Sequence, residues 1–329
     1  MRKVISFDTV KIFMACLVVA IHVYPFASVS QSFDFFFTHV FCRIAVPFFL
    51  MTTGYFVLPK AMNDFQVLKK YTFKILGLYA ICILLYLPVN LYAHTFDGRG
   101  FLEILQVIFL NGTFYHLWYF PALILGMWLV YFVGFLVKSK RVNFVIFLLL
   151  YFVGLFGDSY YSVISRNSFF PSFYHVIFTV FDYTRNGVFY VPIFLYLGYV
   201  IRGQKKSKIS CYSLPLFLVS LILMLIEGGI LHFYDVQRHD SMYLFLIPTM
   251  YFLFSYVRQF SRGNKKQLRS IATVIYVIHP IVIIGVRVLA RISHFSFFVT
   301  HSVINYFCVL FFSILFSILC YKCRQRFHF

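Results

Sequence analysis

The sequence has few charged residues. Of its 329 residues only 12% are Asp, Glu, Lys or Arg, whereas 61% are hydrophobic and the mean hydropathy is +0.84. Soluble domains of ordinary composition carry about 25% charged residues. Because a chain of this length cannot build a water-facing surface from so few charges, the composition excludes a soluble globular protein. It predicts instead that most of the surface faces the lipid bilayer.

Several motifs that define enzyme classes are also missing. The chain has no phosphate-binding G-x-x-x-x-G-K-[ST] loop, no G-x-S-x-G elbow, no H-E-x-x-H motif and no dinucleotide-binding glycine motif. ATP-driven chemistry, serine-hydrolase triads and zinc chemistry therefore lack support. Of the seven cysteines, only Cys320 and Cys323 have C-x-x-C spacing, and no second pair follows within metal-ligand reach. We predict no metal site and no bound cofactor.

The hydrophobic residues occur in runs long enough to cross a bilayer. A spanning helix needs roughly 20 residues, with about 17 as the lower limit, and ten segments qualify once flanking residues complete the fifth and the sixth. The predicted spans are residues 9–28, 33–58, 75–94, 117–137, 143–158, 187–201, 210–231, 241–260, 270–290 and 299–320. The sequence thus predicts an all-α, polytopic integral membrane protein of about ten transmembrane helices. Residues 1–329 are expected to form a single transmembrane domain without a soluble catalytic domain.

The basic residues predict the orientation of these spans. If the N-terminus is cytoplasmic and ten spans alternate, 21 of the 29 Lys and Arg residues fall on the cytoplasmic side, five fall outside and three lie within spans. Such an excess of basic residues in cytoplasmic loops is the rule for membrane proteins. Both termini are therefore expected in the cytoplasm, with the protein in the bacterial cytoplasmic membrane. The same distribution explains the net charge of +19 without a nucleic-acid partner.

The first predicted span carries three ionisable side chains on one helical face. At about 100° per residue Asp8, Lys11 and His22 point to the same side, and Asp8 and Lys11 can pair at i,i+3. His22 follows three turns later, roughly 16 Å along the axis. Because charges within a span cost about 2.5–3.5 kcal/mol at its centre, we interpret the pair as a binding site and His22 as a general base. The alternative interpretation is a pair of interfacial anchors and a hydrogen-bonded interior histidine.

Arg43 stands out in the second predicted span. It lies roughly 15 Å from the outer end of the span, which is too deep for its side chain to reach the surface. An arginine at this depth predicts a polar cavity with a bound substrate, or else a structural ion pair. Glu227 is the best acidic candidate for that pair.

Three further clusters combine a basic or imidazole side chain with aromatic neighbours. His116 and Trp118 stand at the outer start of the fourth predicted span, and Arg185 stands just before the sixth. His279 lies within the ninth span, about 14 Å from its inner end. We interpret these residues as substrate-binding. For Trp118 taken alone, an aromatic belt at the membrane interface is the alternative.

Together these motifs resemble the membrane acyltransferase 3 family over nearly the whole chain. The first helix of that family opens with an Asp, then an Arg, then a His eleven residues after the Arg, which here match Asp8, Lys11 and His22. Lysine keeps the charge of the family's arginine but lacks its bidentate fork. The family's FFFxxSGF, HLWFL-like and YLxHxP-like segments correspond to Phe48–Phe56, His116–Phe120 and Tyr276–Pro280.

The resemblance implies a transferase that moves an acyl group from a cytoplasmic acyl-CoA to a sugar or cell-envelope acceptor. It implies that His22 is the general base or a transient acyl carrier. It further implies that Arg43, His116, Arg185 and His279 line the acceptor side. A purely structural membrane anchor would explain neither Arg43 nor His22.

A narrower resemblance implies an alternative function. The segments RIAVPFFLMTTGYF, NGTFYHLWYFPALI and TRNGVFYVPIFLYLGYVI are similar to the membrane half of the vancomycin-resistance serine racemases, which belongs to the same family. Those proteins continue into a soluble racemase domain. This resemblance therefore implies a separate or deleted soluble domain as a partner, and binding or transport of a small polar solute such as L-serine as the function.

Overall fold

The computed structural model describes residues 6–165, 169–204, 212–261 and 265–326, except for the side chain of residue 169. Within these ranges every regular element is a helix, which confirms the predicted all-α class. The longer helices are α1 (Phe7–Val23), α2 (Gln31–Asn63), α3 (Phe65–Tyr92), α4 (Phe101–Asn111), α5 (Tyr119–Leu136), α6 (Lys140–Phe156), α7 (Phe169–Val180), α8 (Val191–Gly203), α9 (Ser213–Phe233), α10 (Leu246–Phe260), α11 (Lys266–Ile292) and α12 (Ser302–Arg326).

Six helices of the described chain, α2, α3, α5, α9, α11 and α12, are long and apolar enough to cross a membrane. The protein is therefore a multi-pass membrane protein. The other predicted spans coincide with shorter helices of 17 residues (α1 and α6), 15 residues (α10) and 13 residues (α8). The number of about ten spans and the cytoplasmic placement of both termini stay predictions. Seven basic residues used to predict the orientation lie outside the described residues: Arg2, Lys3, Arg166, Lys205, Lys206, Lys208 and Arg262.

Helix α1 ends earlier than the sequence predicted, and this changes the position of His22. The prediction extended the first span to residue 28, but the helix stops at Val23 because Tyr24 adopts a left-handed conformation (φ 56°, ψ 67°) and Pro25 follows. Proline cannot continue a helix, and it disfavours the helical conformation in the residue before it. His22 consequently lies in the last turn of α1, next to the carbonyl groups that end the helix.

Segment α2 departs from regular α-helical geometry near Arg43. After one α-helical turn the chain forms a π-helix at Phe35–Val40 and a 3-10 helix at Phe41–Ile44, and only then a regular α-helix at Ala45–Phe56. Arg43 lies in the 3-10 turn, and its Nε donates to the carbonyl oxygen of His39 at 3.4 Å. Such local departures inside long helices often mark functional sites.

The chain forms two compact units, each of which combines separate stretches of sequence. The first unit contains Met1–Phe49, Lys208–Gly229 and Pro248–Phe329, and the second contains Leu50–Ser207 and Ile230–Ile247. In the first unit α1, α11 and α12 pack against one another. The buried apolar core of this unit includes Ala15, Val19, Val23, Ile271, Ala272, Ile275, Ile283, Val286 and Val309.

In the second unit, helices α2 and α8 cross at backbone contact. A Cβ atom on Gly54 would lie closer than 3.0 Å to the carbonyl oxygen of Leu195, and one on Gly198 would do the same to the carbonyl oxygen of Met51. Real Cβ atoms essentially never come that close to another heavy atom. Small residues commonly let membrane helices approach in this way. The glycine of the segment Phe48–Phe56, Gly54, is therefore explained by the close approach of α2 and α8.

Candidate functional site

In the first unit, two helices that carry cations meet at Asp8. The buried carboxylate of Asp8 accepts the backbone N–H of Lys265, which precedes α11, at 2.9 Å. The same carboxylate lies 3.6 Å from Nζ of Lys11 and 3.4 Å from Nε of Arg269. The predicted ion pair of Asp8 and Lys11 is therefore present, and Arg269 adds a second cation that sequence reasoning did not select. Asp8 therefore brings two cations, Lys11 of α1 and Arg269 of α11, close together.

Two histidines meet further along the same two helices. The rings of His22 and His279 stack with 5.2 Å between their centroids and 21° between their planes. His279 is fully buried, whereas His22 is half-buried. The structure thus brings together two site residues that the sequence predicted separately.

On both α1 and α11 a basic side chain is followed by a histidine about three helical turns later. Lys11 and His22 are eleven residues apart, and Arg269 and His279 are ten apart. Because the cations meet at Asp8 and the histidines meet each other, the two helices run in the same direction. At 1.5 Å per residue the histidines lie roughly 15 Å from the cations. This arrangement suits an elongated ligand with an anionic end and a reactive end.

The backbone of α11 determines which nitrogen of His279 carries a proton. Nδ1 lies 2.8 Å from the carbonyl oxygen of Tyr276 and 3.2 Å from that of Ile275. Carbonyl oxygens only accept, so Nδ1 donates and the lone pair of the neutral ring is on Nε2. The carbonyl of Tyr276 is available because its normal helical partner would be the N–H of Pro280, which does not exist.

Arg43 also belongs to the first unit, where its side chain is half-buried. Glu227, its predicted partner, is buried in α9. Two residues later on α9, a Cβ atom on Gly229 would lie 3.1 Å from the ring of Phe36. Helix α9 therefore lies beside the irregular part of α2, which favours the predicted pairing. The pairing itself stays a prediction.

We expect Arg43→Leu to lower activity at least about tenfold and Arg43→Lys to restore only part of it, because a point charge cannot reproduce the planar guanidinium fork. Activity and thermal stability of the purified protein are the quantities to measure. Arg287→Leu, at an exposed position of α11, is the matched control and should change neither. A fully active and more stable Arg43→Leu protein would show that the residue is dispensable.

In the second unit, Arg185 is held by aromatic rings. Its guanidinium lies 5.1 Å from the ring centroid of Trp118 and 4.7 Å from that of Tyr183, and its Nη1 lies 3.4 Å from Oγ of Ser241. Two predicted site residues, Trp118 and Arg185, are therefore in contact through a cation–π interaction. His116 is buried among aromatic rings of the same unit.

Asp158, which sequence reasoning missed, organises this aromatic cluster. It follows α6, and its Oδ1 accepts the backbone N–H groups of Ser241 at 2.8 Å and Met242 at 3.0 Å, together with the hydroxyl of Ser159 at 3.0 Å. Asp158 thereby fixes the segment whose Ser241 contacts Arg185. A buried acid at the end of a predicted span, in a chain with ten acidic residues, was the available signal.

Fold and site define a multi-pass helical membrane protein in which a buried histidine, His279, stacks on a half-buried one, His22. The chain belongs to the acyltransferase 3 family, whose acyltransferase domain matches residues 4–322. This confirms the resemblance that the sequence motifs indicated.

Three curated relatives match most of the chain. Two amino-acid racemases of Enterococcus faecalis are 36% and 38% identical over 321 and 313 residues, and a serine/alanine racemase of Enterococcus gallinarum is 36% identical over 333 residues. The matches cover 94%, 92% and 97% of this chain but 44%, 44% and 46% of the relatives. The chain therefore spans less than half the length of the curated relatives it matches. No solved structure matches the chain significantly.

Proposed function

We propose that the protein is an acyltransferase of the bacterial cytoplasmic membrane, which moves an acyl group from cytoplasmic acyl-CoA to a hydroxyl of a sugar or another cell-envelope acceptor. The observation that carries this proposal is the parallel helix pair with cations at one end and histidines at the other. In acyl-CoA the phosphates and the thioester stand at opposite ends of a long uncharged arm. One molecule can therefore place its phosphates at Lys11 and Arg269 and its thioester at His22.

In the proposed reaction His22 is the general base. It removes the proton of the acceptor hydroxyl while the hydroxyl oxygen attacks the thioester carbonyl. The carbon–sulfur bond then breaks, and the departing thiolate receives the proton from His22. A positive charge on His22 is favoured by its place in the last turn of α1, where the helix dipole attracts cations. The same imidazole is also suited to carry the acyl group transiently.

We assign Arg43, which lies in the same unit as His22, to binding of the acceptor; for His116, Trp118 and Arg185 of the second unit, substrate binding stays a prediction. Arginines recognise hydroxyl and anionic groups of sugars and envelope precursors through several donors. Aromatic rings such as Trp118 supply flat apolar surfaces to which the faces of sugar rings can bind.

A second candidate is binding or transport of a small polar solute such as L-serine. The names of the curated relatives, which are amino-acid and serine/alanine racemases, favour it. Because this chain matches less than half of their length, a soluble racemase domain would then be its partner. The first proposal has the stronger support from the geometry of Lys11, Arg269 and His22, since a zwitterion does not need charges roughly 15 Å from the histidines.

Substitutions of Lys11 test the donor site. We expect Lys11→Arg to tighten acetyl-CoA binding several-fold, because arginine binds phosphate with two parallel hydrogen bonds. We expect Lys11→Glu to abolish binding, since it places a second carboxylate beside Asp8. Calorimetric titration of the purified protein with acetyl-CoA measures both. Lys138→Glu, the same change in charge at an exposed lysine, should leave binding intact.

The same titration separates the two candidate functions. No heat from the wild type or from Lys11→Arg, together with uptake of radiolabelled serine into proteoliposomes that depends on His22 and Arg43, would replace the acyltransferase by a transporter. Binding of acetyl-CoA that Lys11→Glu removes would support the acyltransferase.

A further inference from the structure

We propose that a buried polar face of α12 binds the arm of acyl-CoA that joins the phosphates to the thioester, through the side-chain oxygens of Asn305 and Ser313. This arm is uncharged but polar, because it contains amide groups and a hydroxyl. The inference rests on the proposed function and deepens it. It assigns binding roles to two residues that the sequence motifs did not select.

The face of α12 that packs into the first unit is unusually polar. Its buried residues follow one another at helical spacing and are Ser302, Asn305, Val309, Ser313 and Ser317. Val309 belongs to the apolar core that α1 and α11 form. The polar face of α12 therefore points toward the two helices that carry the cations and the histidines.

Two hydrogen bonds fix the level of this face along α1. Oγ of Ser302 donates to the carbonyl oxygen of Pro25 at 2.8 Å. The hydroxyl of Tyr306 donates to the carbonyl oxygen of Cys16 at 3.3 Å. Helix α12 therefore runs antiparallel to α1, and Asn305, between the two contacts in sequence, lies beside the last turns of α1, at the histidine end of the helix pair.

Ser313 lies further toward the cations. It follows Asn305 by eight residues, roughly 12 Å along the axis, in the direction of Lys11 and Arg269. The core side chains of α1 and α11 beside this face are apolar. The polar atoms of α12 thus stand between the cation end and the histidine end, where the arm of a bound acyl-CoA would run.

Two polar atoms of this face have no hydrogen-bond partner in the described part of the chain, namely Oδ1 of Asn305 and Oγ of Ser313. Asn305 is only 6% exposed and Ser313 is fully buried. Buried polar atoms nearly always have a partner, because an unpaired one costs stability. On the same face the hydroxyls of Ser302 and Ser317 donate to carbonyl oxygens. The two unpaired atoms therefore indicate a ligand that pairs with them.

The chemistry of the two atoms matches the arm. The amide oxygen of Asn305 accepts hydrogen bonds, and the hydroxyl of Ser313 both donates and accepts. An amide N–H of the arm can therefore donate to Asn305, and the hydroxyl or a further amide can pair with Ser313. Both atoms are covered in this structure, so the arm reaches them by separating α12 from α1 and α11. That separation breaks no hydrogen bond of either atom, whereas the bound arm supplies one to each.

Asn305→Leu tests the contact. Calorimetric titration of the purified protein uses acetyl-CoA and, separately, ADP, which carries phosphates without the arm. We expect the Kd for acetyl-CoA to rise about five- to tenfold, the range of one hydrogen bond, while the affinity for ADP stays unchanged. The ligand-free variant should unfold at a higher temperature than the wild type, because leucine removes an unpaired buried polar group. A residue with a merely structural role would not combine weaker binding with higher stability.

Ser313→Ala is the second variant, and it serves if the leucine protein does not fold. It should weaken acetyl-CoA binding several-fold and leave ADP binding unchanged. Ser317→Ala is the matched control, because it removes a hydroxyl of the same face that already donates to the carbonyl oxygen of Ser313. Its affinity for acetyl-CoA should equal that of the wild type.

The contrary outcomes are distinct. Equal losses for acetyl-CoA and ADP would show disturbed helix packing, and unchanged acetyl-CoA binding in Asn305→Leu and Ser313→Ala would show that the arm does not contact α12. Either result overturns the inference alone. If ADP gives no heat with the wild type, thermal unfolding decides, and weaker acetyl-CoA binding by a destabilised Asn305→Leu protein overturns it. A wild-type protein that binds no acetyl-CoA would overturn the proposed function and the inference with it.

Discussion

We expect His22→Ala to abolish acyl transfer while the protein remains folded and inserted. A positioned general base contributes about 10²–10⁴-fold to a rate, and the fully buried His279 is poorly suited to take over a role that requires it to accept a charge. Removal of the half-buried His22 ring takes no side chain out of the apolar core around Val19 and Ile275. CoA release from acetyl-CoA by inverted vesicles measures the loss, and size-exclusion chromatography in detergent measures the fold.

The control for this experiment is His301→Ala, which changes an exposed histidine in the same unit and should leave the rate unchanged. A well-expressed His22→Ala protein with a near-normal rate would show that another group removes the acceptor proton. An inactive and aggregated protein would instead show a structural role for His22. Thermal unfolding of the variant distinguishes that result from a loss of chemistry.

The second large effect is expected at the crossing of α2 and α8. Gly54→Ala and Gly198→Ala each place a methyl group where the carbonyl oxygen of Leu195 or Met51 now lies. Overpacking usually costs about 1–3 kcal/mol and sometimes more, and backbone cannot move aside as a flexible side chain can. We expect each variant to lose at least about 3 kcal/mol of stability, and the two together to leave no folded second unit. Thermal unfolding in detergent measures the loss.

Gly77→Ala is the matched control. Gly77 lies in the interior of α3, and a Cβ atom added there would have no atom within 4 Å. Alanine is favoured over glycine in a helix by about 0.5–1 kcal/mol, so this variant should unfold at an equal or higher temperature. Equal stability of Gly54→Ala and Gly77→Ala would contradict the close approach of α2 and α8.

Hydropathy and helical periodicity predicted the features that depend only on residues close to one another in the sequence. Ten of the twelve longer helices overlap the predicted spans, whereas α4 and α7 were not among them. The pair of Asp8 and Lys11 forms because i,i+3 spacing on a helix brings the two side chains together. The early end of α1 was missed although its signal, Pro25 after Tyr24, is also local.

The contact between His22 and His279 could not be predicted, because it joins positions that are 257 residues apart in the chain. Periodicity places each histidine on a face of its own helix but says nothing about which helices are neighbours. Arg269 was treated as an ordinary cytoplasmic cation for the same reason. Its spacing of ten residues from His279, close to the eleven between Lys11 and His22, was the signal that could have identified it.

The parallel pairing of α1 and α11 has a consequence for the order of events during synthesis. Asp8 binds the N–H of Lys265, which is also 257 residues away. Ribosomes add roughly 5–20 residues per second, so about 13–50 s pass between the synthesis of Asp8 and the synthesis of Lys265. During that interval most of the second unit emerges, while Lys11 is the cation nearest in sequence to Asp8. The pair of histidines is thus completed only after α11 has been synthesised, and a chain interrupted before α11 has His22 without His279.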